Sequence, residues 1–307
     1  MGVALVKQNA ELTAIVHKLL AASPVQAAPG REQAVGKAVE DVARGAAAGD
    51  TRLRQALDFL KVGKVAEATP LLQTYATDES ARIAQDSKDA AAAWRNLGAI
   101  AGLRDPRKAR EAYAKAAALD PGDAEGLSWD GWFQLEANNL AAAEKSYRAL
   151  LALEGADASQ LFWARSGLGD IAKARGDLKA ALANYGEARV AMERLAKSDG
   201  GNADWQYDLG ISNERIGDVQ MKQGNLAAAL KSYEAKRDII SRLDKSDAGN
   251  ADWQRDLSVS YNKIGDVLVA QGALGEALKS YRDSHAIFER RLMPLRPVRS
   301  TSCMRRV

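Results

Sequence analysis

Cysteine is almost absent: Cys303 is the single thiol in 307 residues. That excludes an internal disulfide framework and a cysteine-based zinc site, both of which need several thiols. Such sparse thiol usage is compatible with a reducing, cytoplasmic setting. The two histidines, His17 and His285, are too far apart for a helical metal pair. No apolar run approaches the roughly 20 residues needed to cross a bilayer. The apolar start, Met1 to Val6, is interrupted by Lys7 and Glu11 and lacks a basic stretch before it, so no signal peptide is expected. Val6 stands where an N-myristoylation motif needs Ser or Thr. A membrane partner is therefore not expected.

A strong charge of one sign is missing as well. The formal net charge is +3, but Arg296, Arg299, Arg305 and Arg306 lie in a stretch from Met293 onward that holds no acid. Without those four charges the remaining chain stands at −1. The pI near 8.8 reflects the tail, and a near-neutral body argues against a nucleic-acid partner.

Alanine supplies much of a 47% hydrophobic content, against only 6% aromatic residues. Ala, Leu, Glu, Lys and Arg are strong helix formers, so the composition predicts a helical chain with a real core.

The chain repeats itself. Asn202-Ala203-Asp204-Trp205-Gln206 returns as Asn250-Ala251-Asp252-Trp253-Gln254, at a spacing of 48. Ile216-Gly217-Asp218-Val219 returns as Ile264-Gly265-Asp266-Val267, and Ala229-Leu230-Lys231-Ser232-Tyr233 as Ala277-Leu278-Lys279-Ser280-Tyr281, in the same register. Leu168-Gly169-Asp170-Ile171 and Ala181 to Tyr185 form an earlier copy, another 48 residues back. Upstream the period shortens: Tyr185 to Tyr147 is 38 residues and Tyr147 to Tyr113 is 34. Each unit has two amphipathic stretches parted by a break: Gly63-Lys64, Asp105-Pro106, Asn138-Asn139, Gly176-Asp177, Gly224-Asn225 or Gly272-Ala273. Glycine at such a break suits a left-handed helix stop. Apolar residues such as Leu226, Ala229, Leu230 and Tyr233 keep helical spacing. One hairpin cannot bury its own apolar face, so stability must come from stacked neighbours.

The unit around Trp94, Leu97-Gly98, Ala109, Tyr113, Ala116 and Pro121 resembles the tetratricopeptide repeat, and a weaker copy holds Gly63, Val65, Ala68, Leu72 and Tyr75. The 48-residue units look like the long-helix variant of kinesin-light-chain-like and bacterial members. The family's proline is missing after most units, where Asn202 and Asn250 open the next helix instead. The resemblance implies an all-α, right-handed α-solenoid of about six hairpins. The expected array covers 51–291, with units near 51–78, 89–121, 122–154, 158–200, 202–248 and 250–291. Residues 1–50 read as a helical extension with a Pro- and Gly-containing linker from Ser23 to Arg31, and 292–307 as a disordered basic tail. Leu5, Leu12 and Leu19 at seven-residue spacing suit either a short coiled coil or a single helix packed on the array. No polar capping helix follows the last unit, which reads as a truncated array.

Chemistry is hard to find. Gly30 to Ala38 has five residues between its glycines where a P-loop has four, and Ala38 replaces the magnesium-binding Ser or Thr. Gly167-Leu168-Gly169 fits a relaxed dinucleotide pattern but stands in the helical register of a repeat. His285, His17 and Cys303 lack partners, and no carboxylate pair is marked for acid–base work. The expectation is a non-catalytic protein without cofactor or metal.

The resemblance implies a concave groove, lined by the first helix of each hairpin, that binds a protein or peptide segment. Transferred to this sequence, one row holds Asp170, Asp218 and Asp266. Glu214 and Asn262 precede it, Met221 follows one turn later, and Arg215 and Lys263 lie beside it. Facing a groove, these residues favour a basic or amphipathic segment. Repeated aspartates equally suit a solvated face or pairing within the array. The chaperone-tail clamp known in some relatives is not reproduced, because its positions hold Arg95, Ala99, Ser128 and Trp132. Trp205 and Trp253 are read as packing residues. The alternative function is self-assembly into a homo-oligomer, through the N-terminal helix or the uncapped last repeat.

Overall fold

The computed structural model describes residues 2–23, 30–82, 87–247 and 250–292. Most of the linker and the tail, with Cys303 and its expected disorder, lie outside the described residues, as does the Leu5 side chain. Fourteen α-helices and no strand occur among the described residues. Two N-terminal helices, α1 (Gly2–Ala21) and α2 (Arg31–Ala47), precede twelve further helices among the described residues, most of them in antiparallel pairs. These pair α3 (Thr51–Lys61) with α4 (Val65–Arg82), α5 (Ser87–Ala101) with α6 (Pro106–Leu119), and α7 (Ala124–Glu136) with α8 (Leu140–Leu151). The helices α9 (Ala158–Ala174) and α10 (Leu178–Ser198) follow, and then α11 (Ala203–Lys222) pairs with α12 (Leu226–Ser246) and α13 (Ala251–Ala270) with α14 (Leu274–Leu292).

The breaks work through local chemistry. Gly63, Gly176, Gly224 and Gly272 take positive φ between 73° and 81°, and Asn138 fills that role at 57°. An L side chain is strained there, and Asn tolerates the region best after Gly. Several helices start on a side-chain cap. Asp177 accepts from the Ala180 amide at 2.9 Å, Asn202 from Trp205 at 3.0 Å, and Asn250 from Trp253 at 3.2 Å. Each cap satisfies amides that have no partner within the helix.

The hairpins close through a glycine–tyrosine contact. A Cβ on Gly98 would stand 2.7 Å from the Tyr113 ring, on Gly131 2.5 Å from Tyr147, on Gly217 2.7 Å from Tyr233, and on Gly265 2.5 Å from Tyr281. The ring of the second helix occupies the space a side chain would need on the first, so only glycine lets the backbones approach.

The chain divides at Ile171/Ala172 into two compact units. In the first unit α1 is a packing helix: Ile15, Val16 and Leu19 are buried in one core with Val35, Val39 and Leu60. Of the residues that suited a coiled coil, Leu12 and Leu19 are taken up by this core. The helix α2 packs against α3 and also lies along α5. Its Ala34, Val35, Ala38, Val39 and Val42 are buried. In the second unit, α11 to α14 stack in sequence. Their cores centre on Tyr233, Ile264, Val267 and Leu268 at one end and Ile240, Leu243, Leu257 and Ile287 at the other, where Trp253 also packs.

Candidate protein-interaction site

The second unit brings most of the expected row together, in a form the sequence left open. On α11, Glu214 and Asp218 stand one turn apart and both are half-buried. Lys236 on α12 is 1% exposed and donates to Glu214. Lys263 on α13 donates to Asp218 at 2.5 Å and lies 3.3 Å from Glu214. The Tyr233 hydroxyl donates to Asp218 at 2.7 Å. Two carboxylates and two ammonium groups thus form a balanced cluster across three helices. Burial works against the Lys263 charge, but the Asp218 hydrogen bond and the two carboxylates outweigh it and hold its pKa above the ordinary lysine value. Burial and then the bond to Asp218 hold the Tyr233 hydroxyl protonated far above the usual tyrosine range.

The cation one hairpin on therefore serves the carboxylate one hairpin back. Lys263 also lies 5.4 Å from the centre of the Tyr233 ring, and Arg215, its counterpart on α11, lies 5.8 Å from the Tyr185 ring. Met221 packs against the core that holds Tyr233, Ile264 and Leu268. On α13 the matching row is open: Asn262, Asp266 and Val269 are exposed. Asp266 accepts from the Tyr281 hydroxyl at 2.7 Å, a bond that raises the tyrosine pKa. Asp170 is half-buried and belongs to the first unit.

In the first unit the corresponding face carries an occupant. Arg31, Ala34 and Val35 of α2 lie against Gly98, Ala99 and Gly102 at α5 and against Trp129, Trp132 and Phe133 on α7. The buried Arg31 guanidinium donates to the Gly102 carbonyl, and burial lowers its pKa. Lys37 pairs with Glu125 at 2.7 Å, and Asn96 donates to Asp41 at 3.1 Å. Arg95 reaches Asp123 at 2.5 Å. Two first-helix positions that a clamp would use, Ala99 and Trp132, are thus spent on α2. The sequence showed α2 as a helix, but nothing local showed where it docks. A cleft of about 390 Å³ remains between α2, α3, α4 and α5, with Asp41, Arg44, Tyr75, Glu79, Asp89 and Asn96 on its polar wall.

The nucleotide-binding look-alikes fall on ordinary helical backbone. Gly30 precedes α2, with no strand before it among the described residues, and Gly167 stands inside α9 against Tyr147. Among the described residues no group of three or more His, Cys, Asp and Glu could hold a metal ion. No helix among them is long and apolar enough to cross a membrane. His17 is exposed 3.4 Å from Glu32, and His285 is exposed 3.8 Å from Glu289.

Comparison with known proteins agrees with this architecture. A tetratricopeptide repeat family model matches residues 101–160. No curated protein matches the chain. Among solved structures it is similar to PilW, a type IV pilus biogenesis factor, with 17% identity, TM-score 0.54, and coverage of 78% of this chain and 92% of that one. It is also similar to BtubC (BKLC) from P. vanneervenii, with 18% identity, TM-score 0.51, and coverage of 91% of this chain and all of the other. Likeness at this level shows the fold, an all-α solenoid. The family model places a tetratricopeptide repeat at residues 101–160, and helices of the same kind stand before and after it.

Proposed function

We propose that the chain is a non-catalytic scaffold that binds a protein or peptide segment along the exposed surface of its first helices. The observation that carries this reading is the open row Asn262, Asp266 and Val269 on α13. Its equivalents on α11 are neutralised by Lys236 and Lys263, so Asp266 is the acid of the row in this unit that still offers a charge. A basic or amphipathic segment complements such a surface: its cation meets the carboxylate and its apolar side the valine. Arg215, Lys263, Glu214, Asp218 and Met221 support the row from within and do not touch the segment first.

A photo-reactive amino acid placed at Asn262, in the full chain and in source cells, tests the reading. A control probe goes at Val190, which is exposed on the second helix α10. Adducts at Asn262 that are missing at Val190 are the expected result, identified by mass spectrometry. Identical adducts from both positions, or none at Asn262, would overturn it.

A further inference from the structure

The second helices α12 and α14 carry the same apolar stripe, displaced by 48 residues. On α12 it is Leu226, Leu230, Tyr233 and Ile240; on α14 it is Leu274, Leu278, Tyr281 and Phe288. Steps of four and three keep each set on one helix face. The α12 stripe is covered by α13: Leu226, Leu230 and Tyr233 cluster with Ile264 and Leu268, and Ile240 clusters with Leu257 and Tyr261. Tyr233 is 4% and Ile240 0% exposed. Tyr281 packs against Gly265, but the other α14 counterparts are bare, with Leu274 65%, Leu278 50% and Phe288 50% exposed. Apolar surface left in water at this density marks a binding surface.

A charge is left over at the same place. Asp218 receives the Lys263 ammonium from the covering helix. Asp266, its equivalent, is exposed, and among the described residues no cation pairs with it. The α14 face therefore lacks both halves of what α13 gives to α12, an apolar ridge and a cation.

We propose that this face binds an amphipathic helix of a partner protein with the pattern that α13 presents to α12. That pattern has large apolar residues at the spacing of Leu257, Tyr261, Ile264 and Leu268, and a Lys or Arg immediately before the third, where Lys263 stands. The α12–α13 interface is the template, and the new interface continues it by one helix. This surface shares Asp266 with the row on the first helices, but its apolar part, Leu278 and Phe288, lies on the second helix of the hairpin.

The probe is a helix-stabilised, labelled peptide with the sequence of residues 250–271, titrated with the full chain and read by fluorescence anisotropy. Stabilisation is needed because isolated helices of this length are marginal in water. Saturable binding is expected. Leu278→Asp should weaken it roughly a hundredfold, since it puts a charge into the apolar centre. Asp266→Lys should weaken it roughly tenfold, and a peptide carrying Lys263→Glu should recover that loss. Both sites are exposed, and circular dichroism verifies that the variants remain folded. Absence of saturable binding, or binding indifferent to Leu278→Asp, overturns the proposal. Binding that emerges only after residues 293–307 are removed assigns the face to this chain's own tail. A doubled mass in solution that Leu278→Asp abolishes assigns it to a second copy. Either result also overturns it. None of these variants touches Asn262, so failure here leaves the photo-crosslinking result standing.

Discussion

The Lys263 ammonium lies 2.5 Å from the Asp218 carboxylate, although 45 residues separate them. The contact joins the first helix of one hairpin to the first helix of the next. A residue pair that two hairpins share in this way ties register to charge. If α13 slid along α11 by one turn, Lys263 would leave both Asp218 and Glu214.

The cluster gives a graded prediction. Lys236 is the more deeply buried of the two cations, and its loss would strand Glu214 beside the core. Lys236→Ala should destabilise by about 3–5 kcal/mol, the usual cost of breaking a buried pair. Lys263→Met, at a partly exposed site, should cost only about 1 kcal/mol. Urea unfolding followed by circular dichroism checks both. A double-mutant cycle with Asp218→Asn should return a coupling that vanishes if the Lys263 contact carries no energy.

Glycine positions give a second contrast. Gly217→Ala gains helix propensity, but its Cβ would stand 2.7 Å from the Tyr233 ring. The expected net effect is a loss of about 1–3 kcal/mol from overpacking. Gly186, inside α10, has nothing within 4 Å of a built Cβ. Gly186→Ala should therefore stabilise by about 0.5–1 kcal/mol. Thermal melts of the two variants should move in opposite directions.

The third prediction concerns pH. Asp208 on α11 is 7% exposed. Burial, then the charge of Asp204, push its carboxyl up to about 7, against the pull of Arg215. The folded state keeps this proton over a range where the unfolded chain has released it. The contribution to stability is intact below the ordinary value of 3.8 and is lost as pH rises toward 7. Asp208→Asn removes the titration. Its denaturation midpoint should exceed that of the parent at pH 8, and the gap should close by pH 4. A constant gap across that range would refute the assignment.

The docking of α2 is open to the same kind of check. Arg31→Ala removes the donor to the Gly102 carbonyl and leaves that acceptor buried. A loss of about 1–3 kcal/mol is expected. Trp129 and Trp132 lie beside Arg31, so acrylamide should quench the tryptophan fluorescence of the variant more strongly. Unchanged quenching would mean that α2 stays in place without the arginine.

Much of this was legible in the residues. The 48-residue register, the breaks at Gly176, Gly224 and Gly272, and the caps Asn202 and Asn250 follow from chemistry within a few positions. The Gly217–Tyr233 contact was half legible: a small residue and a large one at a fixed offset imply close packing. The fate of the aspartates was not. Asp170, Asp218 and Asp266 are indistinguishable in sequence, yet Asp218 is neutralised by Lys263 of α13 and Asp266 stands open. The seven-residue spacing of Leu12 and Leu19 likewise suited a partner helix in another molecule, and the core of the first unit claims those positions instead.

The sequence by itself determined the elements: which stretches are helices, where they stop, and which of their faces are apolar. Those properties depend on hydrophobic periodicity and backbone preference, which act over a few residues. Only the tertiary structure decided which faces are covered. It placed α2 over α5 and α7, matched Lys263 to Asp218, and left the Leu274, Leu278 and Phe288 face of α14 bare. The physical reason is that burial and charge pairing depend on which helix arrives from far along the chain, which no local pattern encodes.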